Sequence, residues 1–197
     1  SIKEQIPQIE VSVSETVSVL LLRIMAPLSI TDQELIRKFV DQSSSQESIL
    51  QIWLQPAGLD SCEPFYPQEV PQLAYSLNDF AINMPFYPTE FTQVNAEINT
   101  KMVKQAVSLL DIQESDRIID FFCGIGNFTL PIATLAKNTI GIEASKQLIK
   151  RVSQNAKHNR LDHKVNFIAQ NLFKIDTHWL LKLGKFDKWL LDPPRDG

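Results

Sequence analysis

A glycine-rich turn and a following acid combine residue types that could bind a small ligand. The stretch "DFFCGIGNFTLPIA" spans residues 120–133 and places Gly124 and Gly126 directly after an apolar run. Glu143 stands 23 positions after Asp120. Glycine lets the backbone of a tight turn approach a ligand closely, and a carboxylate at this spacing can accept hydrogen bonds from both hydroxyls of a ribose. The combination therefore predicts a nucleoside site.

The turn departs from the two common phosphate-binding patterns. Gly126 is followed by Asn127, Phe128 and Thr129, so the third glycine of the dinucleotide fingerprint is missing, and no Gly-Lys-Ser/Thr follows as in a P-loop. A nucleoside ligand with no phosphate requirement suits this turn. S-adenosylmethionine fits, because it is an adenosine that carries a sulfonium-bearing amino-acid tail.

Alternating strand and helix patterns from about residue 94 onward position these residues. Apolar strand patterns fall at 117–122, 139–143, 165–170 and 188–194, with helical patterns between them. A helix is also predicted at 94–110, with an apolar face formed by Ile98, Met102, Ala106, Leu109 and Leu110. This order predicts an α/β fold with a Rossmann-like parallel sheet, in which strand 117–122 neighbours strand 139–143. The turn, Glu143 and Asp192 then follow the carboxyl ends of strands, where ligands bind in such sheets.

Residues 1–90 show a different pattern, which predicts a small α+β domain on an antiparallel sheet. Strands are expected at 8–15, 16–25 and 48–55, a helix at 29–42, a loop at 56–71 and a hairpin around Asn78 and Asp79. In the helix, Thr31 and Glu34 form a capping-box pattern, and the apolar stripe consists of Leu35, Phe39 and Val40. The sequence thus predicts two domains, 1–90 and 91–197.

Composition argues against several classes of protein. Hydrophobic residues make up 44% of the 197 residues, which is enough for packed cores. The longest apolar run, "VSVLLLRIM", is shorter than the roughly 20 residues that a bilayer span needs, so no membrane segment is expected. The two cysteines, Cys62 and Cys123, favour a reducing, cytoplasmic location and no disulfide framework. The sequence contains no Cys/His cluster, so no metal site is predicted. The three histidines are expected on the surface: His158, His163 and His178.

Charge is distributed unevenly along the chain. Residues 1–90 carry 4 Lys and Arg against 12 Asp and Glu, whereas residues 91–197 carry 15 against 11. The second half is therefore the better electrostatic partner for an anionic polymer such as RNA. Charge alone does not distinguish RNA binding from an ordinary solvated surface.

Five motifs in order carry a family resemblance: "FTQVN" (91–95), "DFFCGIGNFTLPIA" (120–133), "GIEAS" (141–145), "AQNLF" (169–173) and "LLDPPRDG" (190–197). Together they resemble the bacterial RNA uracil-5-methyltransferases, and within that family the 23S ribosomal RNA (uracil-5-)-methyltransferases of the RumA/RlmD type. The resemblance is strong over 91–197. It is weaker over 1–90, where "IMAPLSITDQELIRKF" and "FYPTEF" look like the central domain of that family.

The resemblance implies S-adenosylmethionine-dependent methylation of uracil C5 in 23S ribosomal RNA, which forms 5-methyluridine, by a cytoplasmic monomer. It places the cofactor contacts on Gln93, Phe122, Asn127, Glu143, Asn171 and Asp192. Glu143 would bind the ribose hydroxyls, and Phe122 and Asn127 would shape the turn beside the methionine tail.

The other three contacts lie elsewhere in the sequence. Gln93 would reach in from a separate segment to hydrogen-bond the polar tail of the cofactor. Asn171 would lie near the adenine, and Asp192 would close the pocket where the cofactor meets the target base.

The catalytic residues of the family are expected outside this chain. In the family, a cysteine adds to C6 of uracil and a glutamate removes the C5 proton, and both follow the D-P-P-R motif. The chain ends at Gly197, so we expect an incomplete methyltransferase domain that cannot methylate RNA by itself, with Cys123 as a packed residue. The iron–sulfur cysteines and N-terminal RNA-binding domain of the family member would precede residue 1. Asp196 would add an unusual negative charge near the RNA path.

Three alternatives remain open at this point. Amino-methyltransferases that act on adenine or guanine usually have an aromatic residue after the Pro-Pro pair, where Arg195 stands here, which counts against that class. A tRNA-directed relative in the same family would share the cofactor motifs. A non-catalytic fragment that binds cofactor and RNA would also carry them.

Overall fold

The computed structural model describes residues 2–45 and 48–194. The chain divides into two compact units, Ser1–Tyr75 with Pro85–Glu90, and Ser76–Met84 with Phe91–Gly197. The chain therefore enters the second unit, returns to the first and enters the second again. The predicted domain boundary at residue 90 stays a prediction. Arg195 and Asp196 lie outside the described residues.

The first unit is built on a mixed sheet of four strands in the order β1-β2-β3-β4. Its elements are β1 (Gln8–Val13), β2 (Val17–Arg23), α1 (Ile30–Ser43), β3 (Ile49–Gln55) and β4 (Glu63–Tyr66). The outer pairs, β1 with β2 and β3 with β4, are antiparallel as predicted. The central pair, β2 with β3, is parallel, because α1 carries the chain back to the edge from which β2 started. β4 lies within the predicted loop 56–71.

Helix α1 begins with a different cap from the one predicted. Ser29 is the N-cap residue, and its hydroxyl oxygen accepts a hydrogen bond from the backbone N–H of Asp32 at 3.2 Å. The capping-box prediction at Thr31 and Glu34 was therefore wrong, because the helix begins two residues earlier than that pattern required.

The predicted apolar stripe of α1 was correct at Val40, which is buried, and wrong at Leu35 and Phe39. Ile36 and Val40 pack into the core of the first unit with Leu22, Ile24 and Ile52. Leu35 and Phe39 are 61% and 50% exposed. Successive helical residues are rotated by about 100°, so a stripe through Ile36 and Val40 leaves its neighbours outside.

A short hairpin follows, as predicted. Its strands are β5 (Ala74–Leu77) and β6 (Ile82–Pro85), which pair in a two-stranded sheet. The turn between them is a single 3₁₀ turn at Asn78–Phe80, closed by Ala81 in the left-handed region with φ of 54°.

The second unit contains a parallel sheet in the order β10-β7-β8-β9. Its elements are α2 (Ala96–Leu110), β7 (Arg117–Phe121), α3 (Thr129–Leu135), β8 (Asn138–Glu143), α4 (Lys146–His158), β9 (Val165–Ala169), α5 (Thr177–Lys182) and β10 (Lys188–Leu191). All three strand pairs are parallel, and β7 lies beside β8 as predicted. Ile118 and Ile119 point to opposite faces of the sheet and both are 0% exposed. Burial on both faces explains why β7 is mainly apolar, with Asp120 as a buried acid near its end.

The buried face of α2 differs from the predicted one. Val103 and Val107 are buried, together with the polar residue Asn99. Ile98 and Leu109, which were expected inside, are 56% and 77% exposed. The prediction used only apolar residues to locate the buried face of α2, and the actual buried face includes the polar residue Asn99.

Within the described ranges, no helix is long and apolar enough to cross a membrane. His158, His163 and His178 are exposed, as expected.

The sheet of the second unit depends on one residue without a side chain. A Cβ atom at Gly141, in the middle of β8, would lie 2.8 Å from Cδ1 of Phe167 and 2.9 Å from Sγ of Cys123. We expect Gly141→Ala to lower the free energy of unfolding by about 1–3 kcal/mol, because ring and thiol would have to move apart in a packed core. Urea unfolding of the purified protein measures this change.

The matched control is Gly58→Ala, because a Cβ atom at Gly58 would meet nothing within 4 Å. Equal losses of stability in the two variants would show that the contact at Gly141 is not the cause.

Candidate functional site

The turn from Phe122 to Phe128 joins β7 to α3 and is built from left-handed backbone. Phe122, Gly124 and Gly126 have φ values of 64°, 53° and 101°. Glycine adopts such values without strain, whereas for a phenylalanine they are uncommon and cost roughly 1–3 kcal/mol. Strain of this kind is concentrated at functional sites, and it identifies this turn as the candidate site.

Gly126 brings the turn into close contact with α4. A Cβ atom at Gly126 would lie 2.7 Å from Cγ2 of Val152, a branched side chain of that helix. The third glycine of the dinucleotide fingerprint is missing from this turn. The structure shows that Gly126 itself provides a close approach, to the helix after β8.

β8 supports the turn through Glu143. Its carboxylate accepts a hydrogen bond from the backbone N–H of Gly124 at 3.3 Å and from that of Ser145 at 2.9 Å. Glu143 is half-buried at the carboxyl end of its strand. An ionised carboxylate has about four acceptor positions, so these two bonds fix its orientation and leave capacity for a ligand with two hydroxyls.

Helix α2 holds the other end of the turn through a pair of amides. The amide nitrogen of Asn99 donates to the oxygen of Asn127 at 2.9 Å, and that of Asn127 donates back at 2.8 Å. Asn99 is 3% exposed. The buried amide is therefore satisfied only while the turn keeps its position relative to α2.

Helix α4 contributes a third polar contact. The amide nitrogen of Asn155, which is 1% exposed, donates to the backbone oxygen of Ile125 at 3.1 Å. The carbonyl oxygen in the middle of the turn is thereby satisfied from the helix that follows β8. Among the described residues, the side-chain oxygen of Asn155 has no hydrogen-bond partner.

Asp120 is a buried acid directly beneath the turn. The hydroxyl of Thr129, at the start of α3, donates to its carboxylate at 2.5 Å. Burial, the largest cause, and the negative charge of Asp192 together raise the pKa of Asp120 to about 7, against the lowering effect of the hydrogen bonds from Thr129. Asp120 thus changes its charge near neutral pH.

The loops after β9 and β10 complete this edge of the sheet. The rings of Phe122 and Phe173 lie 5.6 Å apart, which connects the turn to the loop after β9. In that loop the side chain of Asn171 accepts a hydrogen bond from the backbone N–H of Phe173 at 2.9 Å. Asp192 is the first residue after β10, and its charge acts on Asp120.

Five of the six residues predicted to contact a cofactor therefore lie at or after the carboxyl ends of strands of one sheet: Phe122, Asn127, Glu143, Asn171 and Asp192. Gln93 is exposed and lies two residues before Asn95, the N-cap of α2. In the described part of the chain it makes no hydrogen bond with these loops. Its cofactor contact stays a prediction.

Sequence reasoning missed three residues that hold the turn: Asn99, Thr129 and Asn155. A usable signal existed for Asn99, which is spaced four and eight residues before Val103 and Val107 and so shares their helix face. Asn155 follows Val152 by three, but nothing in the sequence distinguishes a buried asparagine there from an exposed one.

Neither cysteine has the properties of an activated nucleophile. Burial, together with the negative charges of Asp120 and Glu143, raises the pKa of the Cys123 thiol well above its usual range. Burial also raises the pKa of Cys62, with further contributions from Glu10 and Asp60. Both thiols are therefore protonated at neutral pH.

Solved structures with a similar fold include RNA methyltransferases. The tRNA (uracil-54, C5)-methyltransferase of Pyrococcus abyssi, in complex with S-adenosyl-L-homocysteine, matches 92% of this chain and 41% of its own with a TM-score of 0.64 and 16% identity. The tRNA m1G37 methyltransferase of M. jannaschii matches 99% of this chain and 57% of its own, with a TM-score of 0.59 and 15% identity. The fold is that of S-adenosylmethionine-dependent methyltransferases.

A sequence profile of the tRNA (uracil-5-)-methyltransferase family matches residues 69–197, so this chain belongs to that family. Relatives named 23S rRNA (uracil(1939)-C(5))-methyltransferase RlmD align over all 197 residues, at 48% identity in Chromobacterium violaceum and Cupriavidus necator and 46% in Nitrosospira multiformis. The chain spans 38%, 43% and 44% of these three relatives. The predicted family resemblance and fold class are confirmed.

The raised pKa of Asp120 makes stability pH-dependent. Its folded-state pKa of about 7 exceeds the ordinary value of 3.8, so the folded protein holds a proton that the unfolded chain has released between those values. The free energy of unfolding should therefore fall as the pH rises from about 4 to about 7 and be level above that. Asp120→Asn keeps an acceptor for Thr129 and removes this dependence.

Denaturant unfolding of the wild-type and Asp120→Asn proteins at about pH 5.5 and pH 8 measures the effect. The variant should gain about 2 kcal/mol relative to the wild type between these two pH values. A difference that stays constant across this range would show that Asp120 is already ionised at the lower pH.

Proposed function

We propose that the carboxyl edge of the parallel sheet binds S-adenosylmethionine, with Glu143 on the ribose hydroxyls. The observation that carries this proposal is the fixed position of the Glu143 carboxylate beside the N–H of Gly124. The site also lies at the switch point of the sheet, where β8 and β9 extend to one side of β7 and β10 lies on the other. Ligands of open α/β sheets bind at such a point.

The charge of this edge supports a cationic ligand. Asp120 lies one residue before the end of β7, Glu143 ends β8 and Asp192 follows β10. The negative charge of Asp192 contributes to the raised pKa of Asp120. A positive sulfonium and a positive amino group would relieve this accumulation of negative charge, whereas a phosphate would add to it. The lack of a third glycine and of a P-loop lysine agrees with that choice.

We assign the remaining contacts by their places around Glu143. Phe122 and Asn127 lie in the turn and would flank the methionine tail. Asn171, in the loop after β9, would lie near the adenine. Gln93 would reach the polar tail from the segment before α2, and Asp192 would border the target base.

We propose further that the protein methylates C5 of a uracil in 23S ribosomal RNA. C5 of uracil is a weak nucleophile, so a thiolate would first form a bond to C6. C5 would then bond to the methyl group that S-adenosylmethionine supplies, while the bond between that methyl group and the sulfonium sulfur breaks. A base would then remove the C5 proton, and the C6–S bond would break to release 5-methyluridine and the enzyme thiolate. With both thiols of this chain protonated, we infer that the thiolate and the base come from another part of a longer protein.

The choice of RNA substrate follows from the names of the relatives and of the family. Ribosomal RNA is favoured by the 46–48% identity to relatives named for 23S rRNA, whereas the family profile is named for tRNA. A tRNA substrate is therefore the second candidate. The cytoplasmic location, the monomeric state and an iron–sulfur cluster elsewhere in the protein stay predictions.

Mass spectrometry of RNA from a strain lacking the protein distinguishes these substrates. We expect one 5-methyluridine to disappear from 23S ribosomal RNA, while the tRNA content of this base stays unchanged. Loss from tRNA alone would overturn the rRNA assignment, and loss from neither would support a non-catalytic role. Restoring the strain with a Cys123→Ala variant should restore the modification, because Cys123 is not the nucleophile.

The role of Glu143 is tested by binding. Glu143→Ala should raise the Kd for S-adenosylhomocysteine roughly tenfold to a thousandfold, because one or two hydrogen bonds to a charged group are lost at about 1.5–3 kcal/mol each. Isothermal calorimetry measures the change. The control is Glu114→Ala, which removes an exposed acid of the same unit outside the site and should leave the Kd unchanged. Equal affinities of the wild type and the Glu143 variant would refute the ribose contact.

A further inference from the structure

We propose that Asn99 is a positioning residue for the cofactor site, which acts by holding the side chain of Asn127 in one orientation. The proposal rests on the proposed function, because Asn127 matters only if the turn binds the cofactor. Asn99 itself is a residue of α2 and not of the turn, and it is almost fully buried. Its amide reaches the site only through Asn127.

The pair of hydrogen bonds defines the orientation of both amides. At 2.9 Å and 2.8 Å, the two side chains form a closed ring in which each amide donates once and accepts once. Rotating one amide by 180° would bring two donors or two acceptors together, so neither can turn alone. The side chain of Asn127 is therefore held in one orientation.

The burial of Asn99 makes this arrangement hard to abandon. At 3% exposure, its amide has no ready access to bulk water if Asn127 moves away. An unpaired buried amide carries the full cost of its desolvation, so movement of the turn away from α2 is opposed. The position of the turn is therefore coupled to the position of the helix.

The same helix connects the turn to the segment that contains Gln93. Asn95 caps α2 by accepting from the backbone N–H of Ile98 at 2.9 Å, and the backbone N–H of Asn99 donates to the backbone oxygen of Asn95 at 2.9 Å. Asn99 thus lies in the first helical turn, six residues after Gln93. It joins two chain segments that are both assigned to the methionine tail.

The first variant is Asn99→Ala, which removes the partner of Asn127. We expect the Kd for S-adenosylhomocysteine to rise about 3- to 30-fold, because the Asn127 amide loses its preferred orientation. Calorimetry on the purified protein gives the Kd, and thermal unfolding gives the change in stability.

The matched control is Val103→Ala. Val103 is 0% exposed and lies one helical turn further along the same face of α2, but it has no polar contact with the turn. This variant should lower the melting temperature and leave the Kd within about twofold of the wild-type value. A comparable rise of the Kd in Val103→Ala would show that any loss of packing on α2 disturbs the site, and would overturn the specific role of Asn99.

A double variant tests whether Asn99 acts through Asn127. If it does, Asn99→Ala should have little further effect on the Kd in a protein that already carries Asn127→Ala. Additive losses would mean that Asn99 affects the site by another route, which contradicts the proposal.

The pH dependence of the Kd shows whether Asn99 orients the Asn127 amide or only packs against the turn. Asn99→Asp has nearly the same shape, but its carboxylate cannot donate to the oxygen of Asn127, whereas the protonated acid can. The ratio of the variant Kd to the wild-type Kd should therefore fall as the pH is lowered from about 8 to about 5.5. A ratio that does not change with pH, with the variant folded, would contradict the orienting role.

The outcomes separate this inference from the proposed function. Unchanged affinity in Asn99→Ala, together with weakened affinity in Glu143→Ala, overturns the inference and leaves the cofactor site in place. Absence of cofactor binding by the wild-type protein overturns both.

Discussion

The turn between β7 and α3 is the constraint on which the second unit depends. In seven residues the chain passes from a buried strand into a helix, and it does so with three residues in the left-handed region. Such a turn cannot satisfy its own polar groups in the way that a helix or a sheet does. One backbone hydrogen bond lies within the turn, from Gly126 N–H to the oxygen of Cys123. Further N–H, carbonyl and side-chain groups of the turn are bonded from β8, α4 and α2, through Glu143, Asn155 and Asn99.

Buried polar groups are costly, and the structure places several of them around this one turn. Asp120 and Asn99 are 1% and 3% exposed, and each is bonded to a residue of the turn or of the helix that follows it. Apolar side chains in these positions would pack as well and cost less to bury. Their polar character is therefore better explained by the direction that hydrogen bonds impose on the loop than by stability.

The predictable part of the fold and the unpredictable part differ for physical reasons. β7 and β8 were recognised because each has a short apolar segment of strand length, and the alternation with helices predicted their parallel pairing. The face of α2 was misjudged because Asn99 is buried through a partner 28 residues away, which no local pattern reveals. The parallel pair β2–β3 was missed for a similar reason, since pairing direction depends on where α1 returns the chain. Within the candidate site, the glycine turn and Glu143 could be predicted from their spacing in the sequence. The side chains that hold the turn could not be predicted in this way.

A turn held in this way is arranged before any ligand arrives. Glu143 has its orientation set by two backbone N–H groups, and Asn127 has its own set by Asn99. A flexible loop would have to be ordered on binding, and that ordering would reduce the affinity for the ligand. The backbone strain at Phe122 has the same effect. Its free-energy cost is met when the chain folds, so cofactor binding does not have to meet it. The buried polar contacts thus lower the stability of the folded chain, but because they order the turn beforehand, the ligand binds without a free-energy cost for ordering it.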